Sequence, residues 1–170
     1  MPELTSRDRL QPALLDRLTD LAPDAAFEPR ERRVVSMRQL RVSVLRDLTY
    51  LFNAVQARMG DLGAFSLAEA SVLNYGLRGL TGKTLADIDA ASVADEIARA
   101  IRRFEPRIGG HSLRVTPLDH SAETGGSVMA FLVEGELWAQ PYPERLYFKT
   151  ELDLEAGEAR LIDGGEVAIA

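Results

Sequence analysis

The chain has 170 residues, 46% apolar and 27% charged, which suits one compact domain with a small appended segment. It has no cysteine, which excludes thiol catalysis, disulfides and cysteine-ligated metal and fits a reducing cytosol; a net charge of −6 with few aromatics argues against nucleic-acid binding. Its longest clean apolar run, Val128 to Val133, is far below the roughly 20 residues of a membrane span, and the opening residues lack the apolar core of an export signal. Neither bilayer insertion nor export by the usual route is expected.

From the start, Leu14, Leu15, Leu18 and Leu21 predict a short amphipathic helix with Pro12 near its first turn. Pro23 and Pro29 then interrupt a polar stretch that reads as a linker. Residues 1–35 are therefore expected to form an arm, and residues 36–170 the main domain. Ser36 is a candidate cap for the next helix. Leu40, Val44, Leu48, Leu51, Val55 and Met59 recur every three or four residues, the cleanest helical period in the chain, up to Gly60 and Gly63. Ser66 to Tyr75 reads as another short helix, closed by Gly76 and Gly79. From Ser92 the pattern repeats in Val93, Ile97, Ile101 and Phe104, and Pro106 stops it.

After Gly109-Gly110 the period falls to two. Ser112–Asp119 and Val128–Trp138 read as strands around a turn at Ala122–Gly126. Leu146, Phe148, Thr150, Leu152 and Leu154 alternate with Tyr147, Lys149, Glu151 and Asp153, a strand with one wet face, and a weaker strand follows near Ala159–Ile162. Helices first and a small antiparallel or mixed sheet second predict an α+β fold. Charge is segregated: residues 1–110 hold 16 Lys/Arg against 15 Asp/Glu, and residues 111–170 hold 4 against 11. Such a split fits protein partners, one on each half.

Little in the chain points to chemistry. His111 and His120 lack further ligands at metal spacing, and no nucleophile elbow is present. Thr81-Gly82-Lys83-Thr84 lacks the earlier glycine of a phosphate loop. No catalytic, cofactor-binding or metal-binding residue is assigned. Glu105-Pro106-Arg107 stands apart, because it falls where a helix must end and its glutamate opposes the negative end of the helix dipole. It reads either as an ion-pairing group aimed at another molecule or as a local Glu–Arg pair that fixes the turn. A catalytic acid is the weakest reading, since a glutamate beside an arginine is favoured in its charged form, not the protonated form a proton donor requires.

Five segments occur in a familiar order and spacing: Leu14-Leu15-Asp16-Arg17-Leu18, Ser43-Val44-Leu45-Arg46-Asp47-Leu48 leading to Leu51-Phe52-Asn53, Ser71-Val72-Leu73-Asn74-Tyr75-Gly76-Leu77, Phe104-Glu105-Pro106-Arg107-Ile108, and Leu146-Tyr147-Phe148-Lys149-Thr150-Glu151-Leu152-Asp153. Over roughly residues 14–163 the chain resembles the TssE family of type VI secretion, itself similar to the baseplate wedge protein of T4-like phage tails and often labelled lysozyme-like. Phe52 and Tyr50 stand where leucine and tryptophan are usual there, and Arg78-Gly79-Leu80 departs from a frequent aspartate.

The resemblance implies a cytoplasmic structural protein, in a baseplate docked at the inner face of the inner membrane, and no enzyme despite the label. It implies that Glu105, Pro106 and Arg107 grip the core bundle of the wedge proteins TssF and TssG, with TssK contacted indirectly. It also implies a sheet like the handshake domain of the sheath, open to strands of the sheath subunits TssB and TssC. The strand bearing Phe148, Lys149, Glu151 and Asp153 is the expected sheath contact. The same domain occurs in contractile phage tails and phage-like particles, which is the alternative setting; a peptidoglycan hydrolase using Glu105 as acid is a more distant one.

Overall fold

The computed structural model describes residues 13–19, 23–24, 36–56, 65–82, 88–118, 127–138 and 143–164. Leu21, Pro29, Met59, Gly60, Gly63, Lys83, Thr84, Asp119, His120 and the expected turn at Ala122–Gly126 lie outside these residues. In chain order come α1 (Leu14–Leu18), α2 (Met37–Asn53), α3 (Ser66–Glu69), a 3-10 turn (Val72–Asn74), α4 (Ala90–Phe104), β1 (Arg114–Pro117), β2 (Val128–Leu137), β3 (Glu144–Asp153) and β4 (Glu158–Asp163). This is the α+β order expected from the sequence. The described strands form one antiparallel sheet in the order β1-β2-β3-β4.

Helix α2 starts where the sequence marks it. The Ser36 hydroxyl accepts from the Gln39 N–H at 3.2 Å, and the Gln39 side chain accepts from the Ser36 N–H at 3.0 Å, a reciprocal box that satisfies two otherwise unpaired donors. Leu40, Val44, Leu48 and Leu51 are buried as their spacing requires. The helix nevertheless ends at Asn53, short of the expected glycines, and Val55 is 66% exposed. A long-range contact ends it. The Leu77 N–H donates to the Ala54 carbonyl and the Gln56 N–H to the Leu77 carbonyl, both at 2.9 Å, drawing residues 54–56 into an extended bridge. Gly76 permits that approach with φ of +113°, since a Cβ there would lie 2.2 Å from the Ala54 carbonyl oxygen.

The expected helix over Ser66–Tyr75 is broken into α3 and the 3-10 turn. The Ser71 hydroxyl donates to the Ala68 carbonyl and accepts from the Leu73 N–H, a local competitor for helical hydrogen bonds. Helix α4 begins at Ala90, ahead of Ser92, because the Asp89 carboxylate caps the Ala91 and Ser92 N–H groups.

Inward residues of the sheet, including Met129, Phe131 and Val133 of β2 and Leu146, Phe148 and Leu152 of β3, pack on Val44, Leu48 and Leu51 of α2 and Ile97 and Ile101 of α4. Helix α4 lies nearest β1 and α2 nearest β4. Two further ties hold α2 to the sheet. The Asn53 side chain donates to the Ala159 carbonyl and accepts from the Ala159 N–H, each at 2.9 Å, and the Arg41 guanidinium reaches Asp163 and the carbonyls of Arg145 and Tyr147.

Candidate protein-docking site

Helix α4 delivers its last turn to Pro106, which cannot continue the ladder. Glu105 is only 3% exposed, so its carboxylate turns into the protein and does not project outward. Arg107 folds back over it. Its backbone N–H and Nε donate to Glu105 Oε1 at 3.1 and 2.7 Å, and Nη2 pairs with Oε2. The local Glu–Arg pair is thus the geometry that forms, while Pro106 is exposed between its two members. The turn is stapled to the end of β2 by the Trp138 N–H donating to the Arg107 carbonyl at 2.7 Å and by the Gly109 N–H donating to the Glu136 carbonyl at 2.8 Å.

Arg107 also donates from Nη2 to Asp47 Oδ2 at 2.6 Å and from Nη1 to the Ser43 hydroxyl at 3.4 Å. Asp47 in turn accepts from Arg46 Nε and Nη2 at 3.0 and 2.8 Å, and Arg46 Nη1 pairs with Asp16 of α1. Asp16, Arg46, Asp47, Arg107 and Glu105 therefore form a ladder of alternating charge that joins the arm, α2 and the Glu-Pro-Arg turn. Burial opposes the charge on Arg107, but the Glu105 and Asp47 carboxylates outweigh it and raise its pKa. The ladder holds three carboxylates and two guanidiniums. Tyr75 registers the negative excess: burial raises its phenol pKa first, and the Asp47 and Glu105 charges add to it. Sequence reasoning missed Ser43 and Asp47 as partners of the motif, although their spacing of four on α2 puts them on one face.

On α1, Asp16 turns to the domain while Leu14 and Leu18 are mostly exposed. Asp16→Asn is expected to change global stability by less than about 1 kcal/mol, since the pair is partly exposed. Trypsin cleavage after Arg17 should nevertheless accelerate. An unchanged cleavage rate would show that this ion pair does not hold the arm.

The expected sheath-contact residues lie differently. Phe148 has 0% exposure and belongs to the core, because its position in the alternation faces the helices. It cannot touch a partner. Strand β3 is interior, paired on both sides, so Lys149, Glu151 and Asp153 offer side chains on the outer face but no free edge. Lys149 pairs with Glu151 at 2.7 Å, and Asp153 Oδ1 accepts from the N–H groups of Glu155 and Ala156 at 2.9 Å each, shaping the turn into β4.

The edges belong to β1 and β4. On β1 the Leu118 N–H donates to Ala130, so Val115 and Pro117 face outward, and Pro117 has no N–H to give. On β4 the outward row begins at Ala159, already met by Asn53, and continues through Leu161. Glu96, a buried carboxylate on α4, is occupied in fastening the Arg78 N–H and Nε. His111 is exposed, and no group of three or more metal-ligating side chains occurs among the described residues.

A family model for the baseplate wedge protein gp25 matches residues 38–142, more than half of the chain. The chain belongs to the gp25 family of baseplate wedge proteins. No curated protein matches it. The match runs from the first turn of α2 through the Glu-Pro-Arg turn and all of β2, and contains Arg46, Asp47, Glu105 and Arg107 but not Asp16. As a gp25-family member the chain is a structural baseplate component that works by assembling with other baseplate proteins. Among the described residues no helix is long and apolar enough to cross a membrane.

Proposed function

We propose that this wedge protein serves the baseplate of a type VI secretion system, in a structural and non-catalytic role. It joins the TssF–TssG core bundle through the Glu-Pro-Arg turn, meets TssK only indirectly, and offers a sheet edge to strands of the sheath subunits TssB and TssC. The baseplate would sit in the cytoplasm at the inner membrane. The observation that supports the grip is the braced turn: Pro106 is exposed and Arg107 is held from two sides by carboxylates on different elements. Within that turn Glu105 is a positioning residue, and Pro106 and Arg107 are the contact residues.

For strand addition β4 is the better edge, being six residues long where β1 has four and ends on proline. Its acidic surroundings, Glu151, Asp153, Glu155 and Glu158, suit basic sheath arms.

Co-expression with TssF and TssG tests the grip. The wild type is expected to co-purify with them, and Arg107→Ala to lose most of that recovery. Glu151→Lys with Glu158→Lys is expected to weaken sheath initiation while leaving wedge recovery unchanged. Failure of the wild type to bind TssF–TssG, with binding to phage-type wedge proteins instead, would move the protein to a phage tail or phage-like particle. A hydrolase reading is disfavoured by the burial of Glu105 and by the Arg107 donors on both of its oxygens. Peptidoglycan clearing by the wild type that Glu105→Gln abolishes would reverse this.

A further inference from the structure

Helix α2 ends beside the rim of the sheet, and its last residue does there what a neighbouring strand would do. The Gly164 N–H donates to the Tyr147 carbonyl at 3.3 Å, which fixes the phase of the β3–β4 ladder. Ile162, Arg160 and Glu158 therefore pair with β3, and Ala159 and Leu161 turn their peptide groups to the rim. Asn53 meets the first of these. Its Oδ1 accepts from the Ala159 N–H and its Nδ2 donates to the Ala159 carbonyl, both at 2.9 Å. One side-chain amide thus closes both main-chain groups of one residue, as the backbone of an adjacent strand closes them in a sheet.

Asn53 is exposed at the rim, but it is not loosely held. Its Nδ2 also donates to the Thr49 carbonyl at 2.9 Å, and Leu51 and Phe52, immediately before it, are buried in the core. Ala159 is buried too, so removing Asn53 would leave its N–H and C=O without a partner. A strand laid along β4 meets a filled rung at Ala159, and the first rung past it is Leu161. We infer that Asn53 is a stop that sets the register of strand addition: an added strand ends against its side chain and pairs with β4 from Leu161 onward. The occupant is the extended main chain of a sheath subunit, because the group that completes this edge is an amide like that of a peptide, and the carboxylates around it suit a basic arm. The inference rests on the strand addition to β4 proposed above and adds where the added strand must end.

Residue-resolved amide exchange tests it, with wild type, Asn53→Ala and Asn53→Asp each measured alone and with the sheath subunits TssB and TssC. Alone, Asn53→Ala is expected to speed exchange of the Ala159 N–H about tenfold or more and to leave Arg160 and Ile162, which face β3, unchanged. Asn53→Asp keeps an acceptor in the same place and is expected to retain slow exchange at Ala159. Equal acceleration along all of β4 would make Asn53 a general tie between helix and sheet and overturn the inference. In the complex, the partner is expected to slow Leu161 but not Ala159 in wild type, and to slow both in Asn53→Ala. Further slowing of Ala159 in the wild-type complex would show that the strand passes Asn53, and the stop falls. If the partner slows Leu161 in every form but never Ala159 in Asn53→Ala, the stop again falls while strand addition stands. If it slows neither amide in any form, strand addition to β4 falls and the inference with it.

Discussion

Glu105→Ala is expected to lower the unfolding free energy by about 3 kcal/mol, as removal of one member of a buried ion pair does. The side chain of Glu105 is 4% exposed and that of Arg107 23%, so solvent does little to relieve the loss. Three donors of Arg107 would lose their acceptor, and only Asp47 and Ser43 would remain to hold the guanidinium. The figure sits at the low end of the usual range because Asp47 still balances part of the charge. Glu105→Gln should cost less, since an amide oxygen accepts one or two of those bonds at the same volume. Urea titration with an unchanged slope would check this, and a shift below about 1 kcal/mol would show that Glu105 does not position Arg107. Loss of partner binding in Glu105→Ala therefore has to be read at a temperature where the variant is folded.

Phe148→Ala is expected to cost about 3–5 kcal/mol, the usual range for emptying a fully buried aromatic site. Phe148 lies at the centre of the sheet, paired in register with Val133 of β2 and Asp163 of β4, and is closed over by the helices. With small domains stable by only about 5–15 kcal/mol, the variant should melt far below wild type. Its neighbour gives the contrast. Lys149→Ala, on the outer face, removes one half-exposed ion pair with Glu151 and should stay within about 0.5 kcal/mol of wild type. Similar melting curves for the two variants would mean that β3 does not bury the face described here.

How far the sequence could be read depends on the range of the forces involved. The cap at Ser36, the stripe Leu40–Val44–Leu48–Leu51 and the alternation through β3 are local patterns, written within a few residues of each other, and all appear as read. The end of α2 was not legible, because it is set by Gly76 and Leu77 more than twenty residues on. The break in the segment before Tyr75 depends on one serine hydroxyl competing with the backbone, which periodicity does not weigh. At the candidate site the motif itself was visible, since a proline after an amphipathic run marks a helix end. Its direction was not: Glu105 is held by Arg107, and Arg107 is braced by Asp47 and Ser43 one helix away.

By itself the amino-acid sequence determined the order of helices and strands, the alternation that gives the sheet one apolar face, and the place where α4 must stop. These follow from near-neighbour sterics and hydrophobic period, which act over a few residues. Tertiary structure alone decided that Glu105 is an inward brace, that β3 is interior, and that β1 and β4 are the strands left at the rim. Those outcomes depend on which distant segments meet when the helices pack on the sheet, and long-range pairing of charges and strands leaves no local signature.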